Sequence, residues 1–441
     1  MSKQPTSAPI VMISAIASGQ GKTTVTAALA RHFTQAGKKV RVFKTGADFI
    51  DPMMLQQACG SPVLSLDLWL LGLPACRALL AEAALQSDVV LIEGVMGLYD
   101  GTPSSADLAN AFGVPVLAVI DASSMAQTVG AIVLGLRDFG PVRLAGVVAN
   151  RVATAGHLSM IQSALRDIPL LGSLARQEQA LPERHLGLVL PDEVADLDTI
   201  LNQLAASVTI DVPAWNAIAG VEFSDEDLTM PIVPRLLEGR CIAIAKDAAF
   251  AFLYPANIQA LKDMGARIIY FSPVADQSIP ADADAVYLPG GYPELHAQQL
   301  GEAKNWQASL QAFLTAQKPM YAECGGMISL VDELIDQHGE SWKMAGILSG
   351  TITLQKRLAA LGMQSWHSSE GELRGHTFHY STFACPLTPA AHTSRQKTQD
   401  QGEAIYCLGS LQATYFHAYF PSNYVASANL FLTATQNSTH D

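Results

Sequence analysis

The chain has 441 residues, of which 49% are hydrophobic and only 15% are charged. This composition fits a folded α/β protein and excludes extensive disorder, and the length exceeds what one ordinary core fills, so we expect two domains. The formal net charge of −13 at pH 7 argues against nucleic acid or an anionic membrane as a partner, because neither would be attracted.

The cysteines and the apolar runs indicate the cellular compartment of the protein. Six cysteines are scattered without a Cys-x-x-Cys pair, which suits a reducing compartment better than a disulfide framework or a zinc site. No run reaches the roughly 18–20 apolar residues that span a bilayer, and the N-terminus lacks the apolar core of a signal peptide. We therefore predict a cytoplasmic protein that contacts no membrane, and a homodimer is compatible with the sequence.

The first half of the chain alternates short apolar runs with helical stretches. The pattern predicts strands at 10–16, 40–44, 89–93, 114–120 and 143–150, and helices at 23–35 and 122–138. Such alternation is typical of a mostly parallel sheet that binds ligands at the carboxyl ends of its strands. We expect an N-terminal α/β domain with a mostly parallel sheet.

A second alternation begins near residue 240, after a stretch in which the pattern weakens and proline interrupts it. It predicts strands at 241–246, 267–271, 285–288 and 319–322, a helix at 258–264, another at 325–334, and a strand-rich region after about residue 342. We predict a first α/β domain at 1–205, a linker at 206–239 and a second α/β domain at 240–441.

The segment Ser18–Thr24 reads Ser-Gly-Gln-Gly-Lys-Thr-Thr and stands between a predicted strand and a predicted helix. This context is typical of a phosphate loop, in a variant form because Ile16 replaces the usual first glycine. Its glycines let backbone N–H groups converge on phosphate oxygens, Lys22 would neutralise the phosphates and Thr23 would bind Mg²⁺. The residues predicted to bind ATP are Gly19, Gly21, Lys22, Thr23 and Thr24.

Charged residues follow the neighbouring predicted strands at the same sheet edge. Lys44 ends one strand, Asp48 and Asp51 follow it, and Glu93 ends the next. Carboxylates are ligands that Mg²⁺ accepts directly or through water, so we predict a metal role for Asp48 and Glu93, with helix capping or a turn as the alternative. Asp51 precedes a proline and could equally be an N-cap.

Two further polar residues lie near this edge. Asn150 ends a predicted strand and could contact adenine, although asparagine is also common in turns. Asp100 lies in a glycine-flanked loop after Glu93. A loop at that distance can reach a bound substrate, and the alternative is that Asp100 only stabilises the turn before the following glycine.

The segment 320–327 places Cys324 between a predicted strand and a predicted helix, followed by two glycines. A sharp strand-to-helix turn exposes a nucleophile, and a helix N-terminus there would lower the pKa of the thiol. A nucleophilic thiol also needs an oxyanion hole and a base. We predict that Gly290, Gly291 and Gly325 supply the hole and that His417 is the base.

The order of a cysteine and a late histidine resembles class I glutamine amidotransferase domains. Those domains usually carry a glutamate two residues after the histidine, but Tyr419 occupies that position here. The resemblance therefore implies a Cys324–His417 dyad whose imidazole is oriented by another group.

The combined motifs resemble the cobyrinic acid a,c-diamide synthase family over nearly the whole chain. The matching segments are 18–24, 48–52, 93–101, 246–254, 288–294, 323–326 and 378–381. The resemblance implies an amidoligase domain related to dethiobiotin synthetase, joined to a class I glutamine amidotransferase domain. It also implies that a corrin carboxylic acid, glutamine and ATP with Mg²⁺ are the small molecules bound.

The resemblance further implies that the a and c acetate groups are amidated through an acyl phosphate. Lys44 would assist phosphoryl transfer and Asp100 would position the acceptor, while ammonia comes from glutamine at Cys324. Asp51, His379 and Tyr380 are candidate substrate contacts, although alternating exposure along a strand explains His379 and Tyr380 nearly as well.

Several other functions remain open at this point. Cobyric acid synthase and the nickel-sirohydrochlorin diamide synthase are related enzymes that amidate other side chains or another macrocycle. A nucleotide-dependent ATPase of the ParA/MinD type would need no thiol site, and a thiol protease would need no phosphate loop.

Overall fold

The structure is a computed structural model that describes residues 4–5, 8–177, 181, 190–229 and 231–433. The chain divides into two compact units, Met1–Pro231 and Ile232–Asp441. The boundary between the units falls within the predicted linker, 206–239. The early part of that segment belongs to the first unit, because Val208–Ile210 extends its sheet.

An eight-stranded sheet and a short two-stranded pair organise the first unit. The strands are β1 (Gln4–Pro5), β2 (Ile10–Ala15), β3 (Val40–Thr45), β4 (Leu64–Leu66), β5 (Val89–Glu93), β6 (Val116–Asp121), β7 (Leu144–Val152), β8 (Leu170–Ala175), β9 (Val208–Ile210) and β10 (Glu222–Phe223). The helices are α1 (Lys22–Gln35), α2 (Ile50–Cys59), α3 (Leu73–Gln86), α4 (Ser105–Phe112), α5 (Thr128–Phe139), α6 (Ala155–Ala164), α7 (Leu197–Ala206) and α8 (Val212–Asn216), with a 3₁₀ turn at Pro191–Glu193.

The eight-stranded sheet has the order β4-β3-β5-β2-β6-β7-β8-β9, and only the β8–β9 pair in it is antiparallel. Strands β2 and β5 are buried at every residue, which explains why they appear in the sequence as continuous apolar runs rather than alternating ones. The carboxyl ends of β2, β3 and β5 lie side by side, so the loops that follow them meet at one edge.

The helix predicted at 122–138 begins later, at Thr128. The Asp121 carboxylate accepts the backbone N–H of Ser123 at 2.9 Å, which forms a local turn that competes with helix. The prediction was therefore wrong for the first residues of this segment.

The second unit has a ten-stranded and a four-stranded sheet. Its strands are β11 (Cys241–Ala245), β12 (Arg267–Phe271), β13 (Ala285–Leu288), β14 (Met320–Glu323), β15 (Val331–Ile335), β16 (Ser341–Lys343), β17 (Leu348–Leu354), β18 (Ala360–Ser368), β19 (Gly371–His379), β20 (Ser381–Ala384), β21 (Ala391–Arg395), β22 (Gln401–Leu408), β23 (Leu411–Thr414) and β24 (His417–Ala418). Its helices are α9 (Pro255–Asp263), α10 (Ala297–Glu302), α11 (Lys304–Thr315), α12 (Gly325–Ile328) and α13 (Tyr424–Asn429), with 3₁₀ turns at Pro293–His296 and Phe420–Ser422.

The ten-stranded sheet is parallel in one half and antiparallel in the other. Its order is β12-β11-β13-β14-β23-β22-β21-β18-β19-β24, and the pairs from β12 to β23 are parallel. The carboxyl ends of β13 and β14 are adjacent, which brings the glycine loop after β13 beside the turn after β14. Within the described ranges, no helix has the length and apolar character needed to cross a membrane.

The helix predicted at 325–334 is only one turn long. It ends at Ile328, and Val331–Ile335 forms strand β15, which pairs with β16 and β17. Pairing on both sides outweighs the helical pattern read from this short apolar stretch, which periodicity alone cannot distinguish from a strand.

Candidate active sites

The phosphate loop occupies the turn between β2 and α1 in the first unit. Gly19 and Gly21 have left-handed backbones with φ of 76° and 79°, a conformation that glycine adopts without steric cost. Asn150 donates from its side-chain amide to the carbonyl of Gln20 at 3.0 Å, and a Cβ on Gly21 would overlap that amide. Asn150 therefore supports the loop backbone in this structure, while its predicted contact with adenine remains a prediction.

Lys22 is the first residue of α1, and its side chain turns back across the loop. Its ammonium group donates to the carbonyl oxygens of Met96 at 2.6 Å and Ala17 at 3.2 Å. Burial lowers the pKa of Lys22, and the charge on Lys44 lowers it further against the opposing effect of nearby carboxylates. Thr24 follows in the same helical turn and is half-buried.

Glu93 connects the phosphate loop to the next strand. Its Oε1 accepts the Thr23 hydroxyl at 2.8 Å and the Lys44 ammonium at 2.5 Å. Its Oε2 is buried and has no hydrogen-bond partner among the described residues. A buried carboxylate oxygen beside a threonine hydroxyl is the donor chemistry that Mg²⁺ accepts, so these two residues fit the ion.

Lys44 lies among three carboxylates at the carboxyl end of β3. Its ammonium group is 2.7 Å from Asp51 Oδ2 and 3.8 Å from Asp48 Oδ2, in addition to the Glu93 contact. Burial lowers the pKa of Lys44, but Glu93, Asp51 and Asp48 outweigh it and raise the pKa above its ordinary value. Lys44 therefore remains a cation in this buried site.

Asp48 and Asp100 both accept hydrogen bonds from nearby backbone N–H groups. Such contacts fit the alternatives to metal and substrate binding, which were helix capping or a turn for Asp48 and a turn for Asp100. Asp48 Oδ1 accepts the N–H groups of Ile50 at 3.0 Å and Asp51 at 3.4 Å, at the start of α2. Asp100 Oδ2 accepts the N–H of Gly97 at 3.0 Å within its own loop. A metal role for Asp48 and a substrate role for Asp100 remain predictions.

Cys324 occupies a strained turn at the end of β14 in the second unit. Its φ is 46° and its ψ is −109°, a region that non-glycine residues rarely adopt and that marks functional turns. Its N–H donates to the carbonyl of Thr414 at 2.7 Å, which ties the turn to β23. The strain is therefore held by the sheet itself.

The thiol does not have the lowered pKa that the sequence led us to predict. Burial raises the pKa of Cys324, and the carboxylates of Glu294 and Glu323 raise it further. The one-turn α12 is too short to supply the helix dipole that the prediction assumed. The thiol is therefore protonated in the resting site, and its activation depends on a base.

The glycine loop after β13 lies against both the turn and the histidine. A Cβ on Gly325 would be 2.7 Å from the backbone nitrogen of Gly291, and a Cβ on Gly290 would overlap the imidazole of His417. The carbonyl of Gly290 accepts the N–H of Phe252 at 2.9 Å, which anchors the loop. The structure thus brings the three predicted oxyanion glycines together with the nucleophile and the predicted base.

His417 lies on β24, directly opposite His376 on β19. The two rings stack with centroids 4.9 Å apart and planes 15° apart, and the Tyr254 hydroxyl lies 3.1 Å from His376 Nδ1. Burial lowers the pKa of His417 to about 3, with a further contribution from His379. The imidazole is neutral at pH 7, which is the form that can accept a proton from a thiol.

Glu323 is the residue that sequence reasoning missed at this site. It ends β14 next to Cys324 and is buried, with Oε1 lying 3.7 Å from His417 Nδ1. Burial raises its pKa to about 8. The available signal was a charged residue at the end of an otherwise apolar strand, Met-Tyr-Ala-Glu.

His379 and Tyr380 lie at the end of β19, in the same unit as the thiol. His379 Nδ1 is 2.8 Å from the carbonyl of Ser381, and its Nε2 is 3.2 Å from Glu403 Oε1. Its ring stacks on Tyr415 at 3.8 Å. Tyr380 makes an edge contact with Phe378. Their contact with a corrin substrate remains a prediction.

Comparison with known proteins identifies the family of this chain. A cobyrinate a,c-diamide synthase from Herminiimonas arsenicoxydans is 56% identical over 98% of both chains. The chain belongs to the a,c-diamide synthase family. A hydrogenobyrinate a,c-diamide synthase from Pseudomonas aeruginosa is 47% identical, over 97% of this chain and 98% of its own. The resemblance stated from the sequence is thus confirmed.

The family models agree with the two-domain organisation. The CobQ/CobB/MinD/ParA nucleotide binding domain matches residues 11–189, and the CobB/CobQ-like glutamine amidotransferase domain matches residues 241–425. The predicted fold class, two α/β domains of these types, is confirmed. A ParA/MinD-type ATPase with no thiol domain does not account for the second match.

Proposed function

We propose that this protein is an ATP- and glutamine-dependent ligase that amidates the a and c acetate carboxylates of a corrin in cobalamin biosynthesis. The observation that carries the proposal is the presence of two candidate chemical sites in one chain. One unit holds a phosphate loop in which Thr23 contacts Glu93, and the other holds Cys324 and His417, both next to the glycine loop after β13. Ammonia is the intermediate that connects them.

The glutaminase half-reaction follows from the second site. His417, which is neutral, takes the proton of the Cys324 thiol, and the sulfur attacks the amide carbon of glutamine. The N–H groups of the glycine loop stabilise the oxyanion. The proton then passes to the departing nitrogen, which leaves as ammonia, and water hydrolyses the thioester to glutamate.

The ligase half-reaction follows from the first site. A carboxylate oxygen of the corrin attacks the γ-phosphorus of ATP and ADP leaves, so that an acyl phosphate forms whose leaving group is phosphate rather than oxide. Lys22 would exchange its carbonyl contacts for phosphate oxygens during this transfer. Mg²⁺, held by Thr23 and Glu93, would supply further positive charge to the phosphates. Ammonia then displaces phosphate from the acyl carbon.

The protein is tested by incubation with ATP, Mg²⁺ and glutamine together with cobyrinic acid, hydrogenobyrinic acid or nickel-sirohydrochlorin. We expect two added amides on a corrin by mass spectrometry, with ADP and glutamate formed in step. Amidation of the nickel macrocycle alone, or of corrin side chains other than a and c, would replace the proposal with the corresponding related enzyme.

The Cys324→Ser variant separates the two half-reactions. We expect it to lose amidation with glutamine and to keep amidation with ammonium chloride at a pH where free ammonia is present, because ammonia is the only intermediate shared by the two sites. A folded variant that has lost both activities would contradict this division.

A further inference from the structure

The buried carboxylate of Glu323 lies between the backbone that carries His417 and the strand that carries the nucleophile. Glu323 is the last residue of β14 and directly precedes Cys324. Its side chain is 1% exposed, so burial of its charge is costly unless nearby groups compensate it.

The hydrogen bonds of Glu323 orient it but do not neutralise it. Its Oε1 accepts the Tyr287 hydroxyl at 2.5 Å and its Oε2 accepts the backbone N–H of Ala418 at 3.1 Å. Both donors are uncharged. The basic group beside the carboxylate is His417, whose Nδ1 lies 3.7 Å from Oε1. This is longer than a hydrogen bond, and such contacts often tighten only when the substrate is bound.

The surroundings of His417 limit displacement of its ring, and in this structure Nδ1 is the ring nitrogen near Glu323. His376 stacks on one face, and the backbone of Gly290 approaches so closely that no side chain fits there. A histidine that takes a proton on one ring nitrogen is stabilised by an acceptor at the other nitrogen, which also selects the productive tautomer.

We infer that Glu323 is a positioning residue for His417. It would replace the glutamate that class I glutamine amidotransferase domains usually carry at the position of Tyr419. This inference rests on the proposed glutaminase function. Burial raises the pKa of Glu323 to about 8, so this role belongs to the ionised form, which is populated as the pH rises through that value. When the thiol proton of Cys324 then moves to His417 and the sulfur attacks the glutamine amide, the imidazolium that forms faces the Glu323 carboxylate. The proton leaves again with ammonia, so Glu323 itself gains and loses no proton in the cycle.

A purely structural role is the competing explanation, because Glu323 also holds the backbone of Ala418. Asn257 provides a matched control, since its side-chain amide donates to the carbonyl of the same Ala418 at 2.8 Å and carries no charge. Glu323→Gln keeps the volume and an acceptor for the Ala418 N–H. It replaces the charge beside His417 with a dipole and can offer an amide N–H to Nδ1, which favours the wrong tautomer.

The test compares Glu323→Gln, Glu323→Asp and Asn257→Ala with the wild type at about pH 9, where Glu323 is ionised. Three quantities are measured: kcat and KM for glutamine hydrolysis, kcat for ammonia-dependent amidation, and the rate at which iodoacetamide alkylates Cys324, followed on the peptide that contains it. The alkylation rate reports activation of the thiol by His417 and needs no turnover of glutamine.

We expect Glu323→Gln to lower kcat for glutamine hydrolysis by about 10²-fold or more while KM changes by less than about threefold, as for carboxylates that orient a catalytic histidine. Alkylation of Cys324 should slow as well, and ammonia-dependent amidation should be unchanged. Glu323→Asp, which keeps the carboxyl group, should have a kcat and an alkylation rate between those of the wild type and Glu323→Gln. Asn257→Ala should lower the melting temperature with a much smaller effect on kcat.

Wild-type kcat and alkylation in Glu323→Gln would overturn the inference, as would an equal loss in Asn257→Ala. A wild-type protein that does not hydrolyse glutamine would instead contradict the proposed function. In that case the alkylation rates alone would still decide whether Glu323 acts on Cys324 through His417.

Discussion

The backbone of Gly290 lies against the imidazole of His417, so closely that a Cβ at position 290 would overlap Cε1 and lie 3.2 Å from Nδ1. The glycine after β13 therefore has a steric role in addition to any oxyanion role, because it leaves the space in which the imidazole lies.

We predict that Gly290→Ala lowers kcat for glutamine hydrolysis by about 10²-fold, because the added Cβ would displace the imidazole of His417 and a small misplacement of a catalytic group is costly. Ammonia-dependent amidation should be unchanged. Gly135→Ala is the control, since a Cβ there meets nothing within 4 Å and the helix around it should gain slightly in stability. Full glutaminase activity in Gly290→Ala would show that the ring tolerates displacement.

Lys22→Ala should stop amide formation with either nitrogen source, with a loss of about 10²- to 10³-fold, because phosphoryl transfer loses a preorganised positive charge. Glutamine hydrolysis should persist, since Cys324 and His417 lie in the other unit. Amide formation and glutamate release are measured on the same samples. Wild-type amidation with free ammonia would remove Lys22 from the mechanism.

Glu93→Gln should weaken both amidations together and raise the concentration of Mg²⁺ needed for half-maximal rate. The carboxylate accepts both Thr23 and Lys44, and its loss leaves Lys44 with one fewer anionic neighbour in a buried site. The measurement is amide formation against Mg²⁺ concentration. An unaltered Mg²⁺ dependence would indicate that Glu93 serves only the ion pair with Lys44.

Asp100→Asn should slow one amidation more than the other, so that a monoamide accumulates. This follows if the loop of Asp100 positions the acceptor. The structure also provides the competing explanation, the hydrogen bond from Gly97 N–H to Asp100 Oδ2. Mass analysis of products over time separates the two explanations. An equal loss of both amidations, or only a lower melting temperature, would show that Asp100 stabilises its turn and does not position the acceptor.

The burial of His417 predicts a pH dependence of stability. Its pKa is lowered from 6.5 to about 3 by burial, so between these values the unfolded chain binds a proton that the folded chain does not. The contribution of His417 to stability is therefore lost as the pH falls from about 6.5 towards 3, by at most about 1.4 kcal/mol per pH unit.

The measurement is the free energy of unfolding of the wild type and His417→Gln at pH 7 and pH 5. We expect the wild type to lose more stability than the variant over this interval. Burial raises the pKa of Glu323 to about 8, which has the opposite sign and is present in both proteins. The difference between the two therefore reports His417 together with its coupling to Glu323 and His376. Equal losses in both proteins would show that His417 is not buried in the neutral form.

Local chemistry explains which elements could be predicted from the sequence. The strands at 89–93 and 285–288 have the predicted bounds, because an apolar run bounded by turns is sufficient for a buried parallel strand. The strand at 267–271 also has the predicted bounds, although it lies at the edge of its sheet. The segment 325–334 could not be predicted, since its state depends on pairing with strands that lie farther along the chain.

The sequence by itself determined the family, the two α/β domains, and the turns that carry Lys22 and Cys324, because each depends on residue types at short spacing. Only the tertiary structure placed Glu323 beside His417 and Lys44 among three carboxylates. It also reversed the expected pKa of the thiol, because the pKa depends on burial and on carboxylates brought close by the fold. Charges separated in sequence interact through distance and desolvation, and neither quantity exists until the sheets have formed.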